Sequence, residues 1–326
     1  MSLIVELFTL FFKFLKKHVG KIFLMVFFTF CFLFVLFPFS DLGDLVSSQI
    51  SQMTRNEVNL NFDKMGLNLF PSPRLAFKQV FVELQNLPPL TAKDLIISPS
   101  IAGLIGQKPY GSVQAKGLLQ GNLDLTVSSG KKTEKGTDRQ KIDMTLTNID
   151  LQELRRIANL PVMIKGQLNM NSKAVADLTM VEQPEINELG LNIKNFELQP
   201  TTLDLGGFPL SIPGLKLSQL DLKGRLSEGR FFIESGQIGR DRDEVTGTIM
   251  GFMNMTLMNY GGSVAPQFGA YELSLDLKLK KSFQDKAALF LLLIDNYKRP
   301  LADGFQYKVK LSGTQFGPPP RISPLQ

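Results

Sequence analysis

The side chains best placed for chemistry are three carboxylates, Asp241, Asp243 and Glu244, crowded into "GRDRDEVTG". Neighbouring carboxylates can divide acid and base work or hold a metal ion. Here they alternate with Arg240 and Arg242 ahead of Gly247, the composition of a solvated bend. A Ser–His–Asp or Cys–His nucleophile needs a histidine, and the only one, His18, precedes a long apolar run. The only cysteine, Cys31, lies inside that run, so the rest of the chain has no disulfide, no thiolate and no His- or Cys-ligated zinc. "GLIGQKPYG" offers glycines and Lys108, but Pro109 stands where a phosphate-binding loop needs Ser or Thr opening a helix. No spaced Asp/Asn loop ending in Glu suits calcium. The expectation is a protein that is not an enzyme, with no catalytic residue, metal or cofactor.

The run itself, within "KKHVGKIFLMVFFTFCFLFVLFPFSDLGD", has no charged residue from Ile22 to Ser40. Nineteen residues at the helical rise reach roughly 28 Å, close to the ~30 Å hydrocarbon core of a bilayer. The alternatives are a cleaved signal peptide and a core helix. A signal peptide has a shorter apolar run and a small-residue cleavage site, and a core helix keeps a polar face. A retained transmembrane helix over 22–40 is therefore expected. Lys13, Lys16, Lys17 and Lys21 precede it, and Asp41 and Asp44 follow. Positive flanks stay in the cytoplasm, so 1–21 is expected there and 41–326 is expected to be exported across the membrane. "LIVELFTLFFKFL" is too short to span; it reads as an in-plane helix or as an extension of the span.

The formal net charge is +6. Half of it lies in 1–21 and half in "SSGKKTEKGTDRQK" (Ser128–Lys141), so the remainder balances. No basic face with exposed aromatics emerges, and nucleic acid is not an expected partner. The 128–141 segment has no aliphatic residue and is expected to be a mobile hairpin tip.

The exported part reads as strands. "EVNLNFDKMGLNLF", "RLAFKQVFVEL", "QGNLDLTVSS", "QKIDMTLTNI", "LGLNIKNFEL", "KLSQLDLKGRL", "GRFFIESGQI", "GTIMGFMNMTL", "YELSLDLKLK" and "FQYKVKLSGT" all alternate apolar and polar residues. Breakers such as "LPPL", "VEQPE", "LGGFPLSIPG" and "GPPP" lie between them. Two helices interrupt the pattern. "NIDLQELRRIANLP" has Asp150 as N-cap and Glu153 at N3; "KSFQDKAALFLLLIDNYKRP" has Ser282 as N-cap and Asp285 at N3. The fold class is mainly β: a curved antiparallel sheet, as a half-barrel or sandwich, with two short helices.

Two helices cannot cover so long an aliphatic face. Either the sheet folds on itself or another molecule covers it. The candidate face is read from the strands "GTIMGFMNMTL" and "YELSLDLKLK", with Ile249, Met253, Met255, Leu257, Leu273, Leu275, Leu277 and Leu279 set against polar or small neighbours.

The ending "LADGFQYKVKLSGTQFGPPPRISP" combines a DG-x-[YF] turn at Asp303–Gly304–Phe305, a strand, and Ser312–Gly313–Thr314 before a Pro-rich tail. In this it resembles the type II secretion system protein N family (general secretion pathway protein N). "NIDLQELRRIANLPVMIKGQLNM" is similar to the signature of AsmA-type proteins. The first resemblance implies a single-pass accessory of the secretion machine held in the bacterial inner membrane, with 41–326 as a periplasmic β-rich domain, without catalytic residues, partnered by that membrane and by other secretion-system subunits. The second implies a lipid carrier whose hydrophobic groove holds phospholipid.

Overall fold

The computed structural model describes residues 19–21, 23–29, 32, 43–53, 58–68, 72–84, 87–106, 108–132, 138–160, 162–177, 182–204, 209–260, 263–315 and 320–325. After helix α1 (Gly43–Met53) come two short strands, β1 (Val58–Asn61) and β2 (Lys64–Asn68), and then the long β3 (Arg74–Leu84) and β4 (Leu87–Pro99). Helix α2 (Ile101–Gly106) leads to β5 (Gly111–Leu118), β6 (Gly121–Lys132) and β7 (Asp138–Asp150). Helix α3 (Leu151–Ile157) leads to β8 (Ile164–Ala176) and β9 (Glu185–Leu198). A separate hairpin, β10 (Thr201–Asp204) with β11 (Pro209–Ile212), precedes β12 (Leu215–Ser227), β13 (Arg230–Ile238), β14 (Val245–Tyr260) and β15 (Ser263–Lys280). Helices α4 (Lys281–Lys286) and α5 (Ala288–Leu291) and a 3-10 turn (Leu292–Tyr297) are followed by β16 (Lys298–Leu301), β17 (Gly304–Gly313) and β18 (Arg321–Pro324).

Twelve long strands, β3 to β9, β12 to β15 and β17, pair antiparallel in chain order. Two short strands share the outer side of each terminal strand: β1 and β2 on β3, β16 and β18 on β17. The two edges do not pair with each other, so the sheet is not closed. The connections after β3, β5, β7, β9, β13 and β15 lie at one end, here the near end, where β1 begins. The opposite, far end carries α2 and the β6–β7 and β14–β15 hairpins.

Register decides what each face carries. One cross-strand row runs Phe77, Leu95, Ala115, Leu123, Leu146, Met170, Leu191, Leu222, Gly236, Ile249, Leu275, Val309. Two further rows toward the far end carry only Ser172 and Tyr271 as polar side chains. The other face is polar and laced with ion pairs, including Lys173–Glu188 at 2.8 Å, Arg225–Glu234 at 3.0 Å and Lys310–Glu272 at 2.7 Å. In "GRFFIES" the adjacent aromatics divide: Phe231 joins the aliphatic face, and Phe232 turns to the polar one, where the Arg225 guanidinium lies 4.5 Å from its ring centroid. Strict alternation sorts the two faces.

Among the strands that break that alternation without losing their apolar side, three do so through a non-glycine residue with positive φ. Gln79, Asn148 and Asn195 adopt φ of 52°, 55° and 51°. This left-handed step inserts one residue, so apolar residues three apart share a side. Phe77 and Val80 enter one core cluster; Leu146 with Ile149 and Ile193 with Phe196 enter another. The sequence pattern "x-polar-polar-x" at "FKQV", "LTNI" and "IKNF" is the trace of these bulges.

Asp150 caps α3 as expected, accepting from the Gln152 N–H at 2.7 Å, and Leu151 and Leu154 pack onto Ile149 and Leu168. The second expected helix differs. Ser282 is not its N-cap; Lys280 holds that position, and the Ser282 hydroxyl donates to Glu244 at 2.8 Å instead. Ala287, at φ −104° and ψ 11°, then splits the segment into α4, α5 and the 3-10 turn. Helices α1 and α2 are two more than the sequence indicated. The segment Ser128–Lys141 is also less of a loop than expected. Ser128 pairs with Lys141, Ser129 with Gln140 and Lys132 with Asp138, leaving only 133–137 outside the described residues.

Of the expected span at 22–40, residues 23–29 and 32 are described, as helix with exposed side chains. The rest of that span, and the in-plane helix expected over 1–21 apart from 19–21, lie outside the described residues. Among the described residues, no helix is long and apolar enough to cross a membrane.

Candidate apolar binding face

All eight candidate residues lie on the aliphatic face. Ile249 stands opposite Leu275, Gly251 opposite Leu273, Gly247 opposite Leu277 and Val245 opposite Leu279; Met253, Met255 and Leu257 continue the same side of β14. They do not share one environment. Leu279 is buried with Val245, Phe283, Ala287, Leu291 and Tyr307, and Leu277 packs against that cluster, so both belong to a closed core beneath α4 and α5. Ile249, Met253, Met255, Leu257, Leu273 and Leu275 are half-buried. The face is thus capped at the near end and half-buried beyond it, except where Leu226 and Ser172 are buried and Gln183 of the β8–β9 connection hydrogen-bonds the main chain of Leu257 across β12 and β13.

The full row continues this gradient sideways. Phe77 is buried at one edge by β1 and β2, and Val309 at the other. The middle positions, Leu146, Met170, Leu191 and Leu222, are half-buried, and Leu146 and Leu191 pack against the cluster of Ile149, Leu151 and Leu168 beneath α3. Those positions belong to strands whose alternation is visible in the sequence. Their alignment with Ile249 and Leu275 is a property of register, which no single strand reveals. Twelve strands at about 4.8 Å spacing make the row about 53 Å long. The row itself carries no ionisable or hydroxyl side chain.

The three carboxylates first considered for chemistry serve as structure. Asp241 is exposed. Asp243 Oδ2 accepts from the Ser218 N–H at 2.9 Å, the Ser218 hydroxyl at 2.8 Å and the Arg240 N–H at 2.8 Å, fastening the β13–β14 turn to β12. Burial of Asp243 opposes its ionisation, but the Arg240 N–H and both Ser218 donors outweigh it and hold the carboxyl below its usual range. Glu244 accepts from Lys286 Nζ at 2.9 and 3.0 Å and from Ser282, and these partners lower its pKa, Lys286 first. This latch holds α4 over the near-end core. Beside it lies a cleft of about 560 Å³, lined by Glu197, Lys216, Arg242, Glu244 and Lys286 among others.

A group with a depressed folded pKa stabilises the fold above its unfolded pKa and loses that contribution as pH falls through the folded value. Asp243→Asn is therefore expected to cost about 1.5–3 kcal/mol at pH 7, the range for hydrogen bonds to a charged group. It should also flatten the loss of stability that the wild type shows below the ordinary aspartate pKa of about 3.9. Urea melts at pH 7 and pH 3 test this: an unchanged wild-type-minus-variant difference at the two pH values would exclude the ionised role.

Among the described residues, no group of three His, Cys, Asp or Glu side chains is placed to hold a metal ion. Compared with protein-family models, curated proteins and solved structures, the chain finds no match.

Proposed function

We propose that this chain is a non-enzymatic, single-pass inner-membrane accessory of the type II protein secretion system, working through the open aliphatic face of a periplasmic sheet. The observation that carries the mode of action is the half-buried middle of that face: apolar rows across twelve strands, closed at the near end, at the two edges and where the β8–β9 connection reaches β14 at the far end. Exposed apolar surface on this scale is a binding surface, since water contact there costs free energy that a partner's burial recovers. The assignment to secretion rests on the C-terminal resemblance. Its DG turn has a physical reason here: Gly304 has φ 142°, and a Cβ there would collide with the Leu279 carbonyl. In this reading, partner subunits of the apparatus cover the face.

A second reading, an AsmA-like carrier in a half-barrel sheet, is favoured by the evenness of the face. Protein interfaces have a polar rim and spaced hydrogen bonds, whereas the central rows offer almost none, which suits acyl chains.

The test is a photoreactive phenylalanine analogue at Leu222 in the full chain in its own membrane. A cross-link to a secretion subunit is the expected result. A phospholipid adduct selects the carrier, and absence of either adduct overturns the face as the working surface.

A further inference from the structure

The segment 281–297 lies over the near end of the apolar face with few fastenings. "KSFQDKAALFLLLIDNY" could make one long helix, yet it forms α4, α5 and a 3-10 turn of six, four and six residues. None of the three has a side-chain N-cap, and helices this short do not persist without packing. From Ala287 to Ile294 every side chain is apolar, so no side-chain hydrogen bond holds the middle. Helix α5 also touches β11, but the β10–β11 hairpin pairs only with itself.

The polar ties sit at its two ends. Ser282 and Lys286 both reach the one carboxylate of Glu244, and Lys280 Nζ donates to the Arg242 carbonyl at 3.0 Å. At the other end, the Tyr297 hydroxyl donates to the Ile322 carbonyl at 3.0 Å, and Asp295 pairs with Lys298 at 3.5 Å. Glu244 and Lys286 are 34% and 55% exposed, so water partly screens their ion pair. Beneath the segment the sheet keeps its apolar side. Ile193, Leu220, Ile238, Gly247, Leu277 and Tyr307 form a row in register, next to that of Leu191, Leu222, Ile249 and Leu275. Tyr307 is 0% exposed, and its hydroxyl, close to Gln284 of α4, has no hydrogen-bond partner among the described residues. A buried hydroxyl left unpaired is costly, and it favours any arrangement that admits water.

We propose that 281–297 is a latched lid. Released from Glu244, α4 and α5 lift off the near end while the sheet stays folded. The Tyr307 row then joins the half-buried rows as one longer apolar face, and the Tyr307 hydroxyl meets water. Use of the lid to admit a ligand rests on the binding-face reading above; the opening itself does not.

Hydrogen exchange of the full chain in detergent micelles at pH 7, without any partner, tests the opening. Amides from Phe283 to Ile294 are expected to exchange about tenfold or more faster than those paired between β15 and β17, as a locally opening unit does. Glu244→Gln, which keeps the shape and removes the charge, should speed lid exchange about threefold or more and leave β15 and β17 unchanged. Tyr307→Phe, which removes the unpaired hydroxyl, should slow it about fivefold or more. Lid and strand amides exchanging together in the wild type, unchanged lid exchange in Glu244→Gln, or unchanged or faster lid exchange in Tyr307→Phe each overturns the lid. Cross-linking at Leu222 reports the face separately: its absence refutes the binding-face reading, and exchange still decides the lid.

Discussion

Val309→Asp is expected to leave the sheet domain unfolded at room temperature, while Met253→Asp leaves it folded. Val309 is 1% exposed, at the edge of the core capped by the helical segment, beside Leu275 in register. The cation nearest in register on that face, Lys298 opposite Tyr307, is already paired with Asp295 at 3.5 Å, and burying a carboxylate unpaired costs several kcal/mol, against a total stability of about 5–15 kcal/mol for a domain. Met253 sits on the same face two rows away, half-buried and in reach of water. Its replacement removes apolar contact but does not enclose the charge, so a loss of about 1 kcal/mol is expected, the centre of the range for point substitutions. Circular dichroism and urea melts of both variants check the contrast. If both unfold, the face is covered throughout and the open-sheet account of function fails; if both fold, the near-end cap is not a core.

Gly251→Ala is the second large effect, and it acts through the backbone. Gly251 has φ 144°, a region closed to L side chains, and a Cβ there would collide with the Glu272 carbonyl oxygen and stand 2.9 Å from Leu273 Cα. Both obstacles are main chain of the neighbouring strand, so no side-chain rotation relieves them. Strained backbone alone costs about 1–3 kcal/mol, and forcing β14 off β15 adds lost ladder bonds, for an expected total of about 3–5 kcal/mol with roughly 1 kcal/mol for each bond lost. Gly66, on the short strand β2, is the control. Its nearest neighbour to an added Cβ is 4.0 Å away, so Gly66→Ala should be neutral or stabilising by up to about 1 kcal/mol. Equal melting midpoints for the two variants would show that β14 does not hold this conformation.

Legibility followed the range of the forces involved. Strands such as β3, β6, β12 and β15 were plain because alternation is local and each residue announces its side. β4 was hidden: "LPPL" looked like a breaker, yet Leu87 pairs with Leu84 and the prolines fall at the start of the strand, where a missing N–H is tolerated. The bulges at Gln79, Asn148 and Asn195 left only a one-residue slip, easily read as noise in an otherwise alternating strand. Ser282 looked like a cap because its type and spacing were right; Glu244, 38 positions away, claimed its hydroxyl. The candidate face was legible on two strands. Its extension over the other ten depends on the register of each pair, which no single strand announces, and the closure that removed Leu277 and Leu279 from it depends on α4, α5 and the distant Leu217.

The chain-order pairing of the twelve long strands has a kinetic consequence. Each strand finds its template in the strand made just before it, so the loop closed at every step is short and its entropic cost nearly constant. The sheet therefore grows by accretion from its N-terminal edge, as a stack of repeats does, and no strand must wait for a distant one to appear. A chain whose strands emerge from an export channel in sequence order, β1 first, meets that requirement at every moment of its passage. Only the last event, the seating of α4 over a core to which β12, β14, β15 and β17 all contribute, requires the whole polypeptide to have arrived.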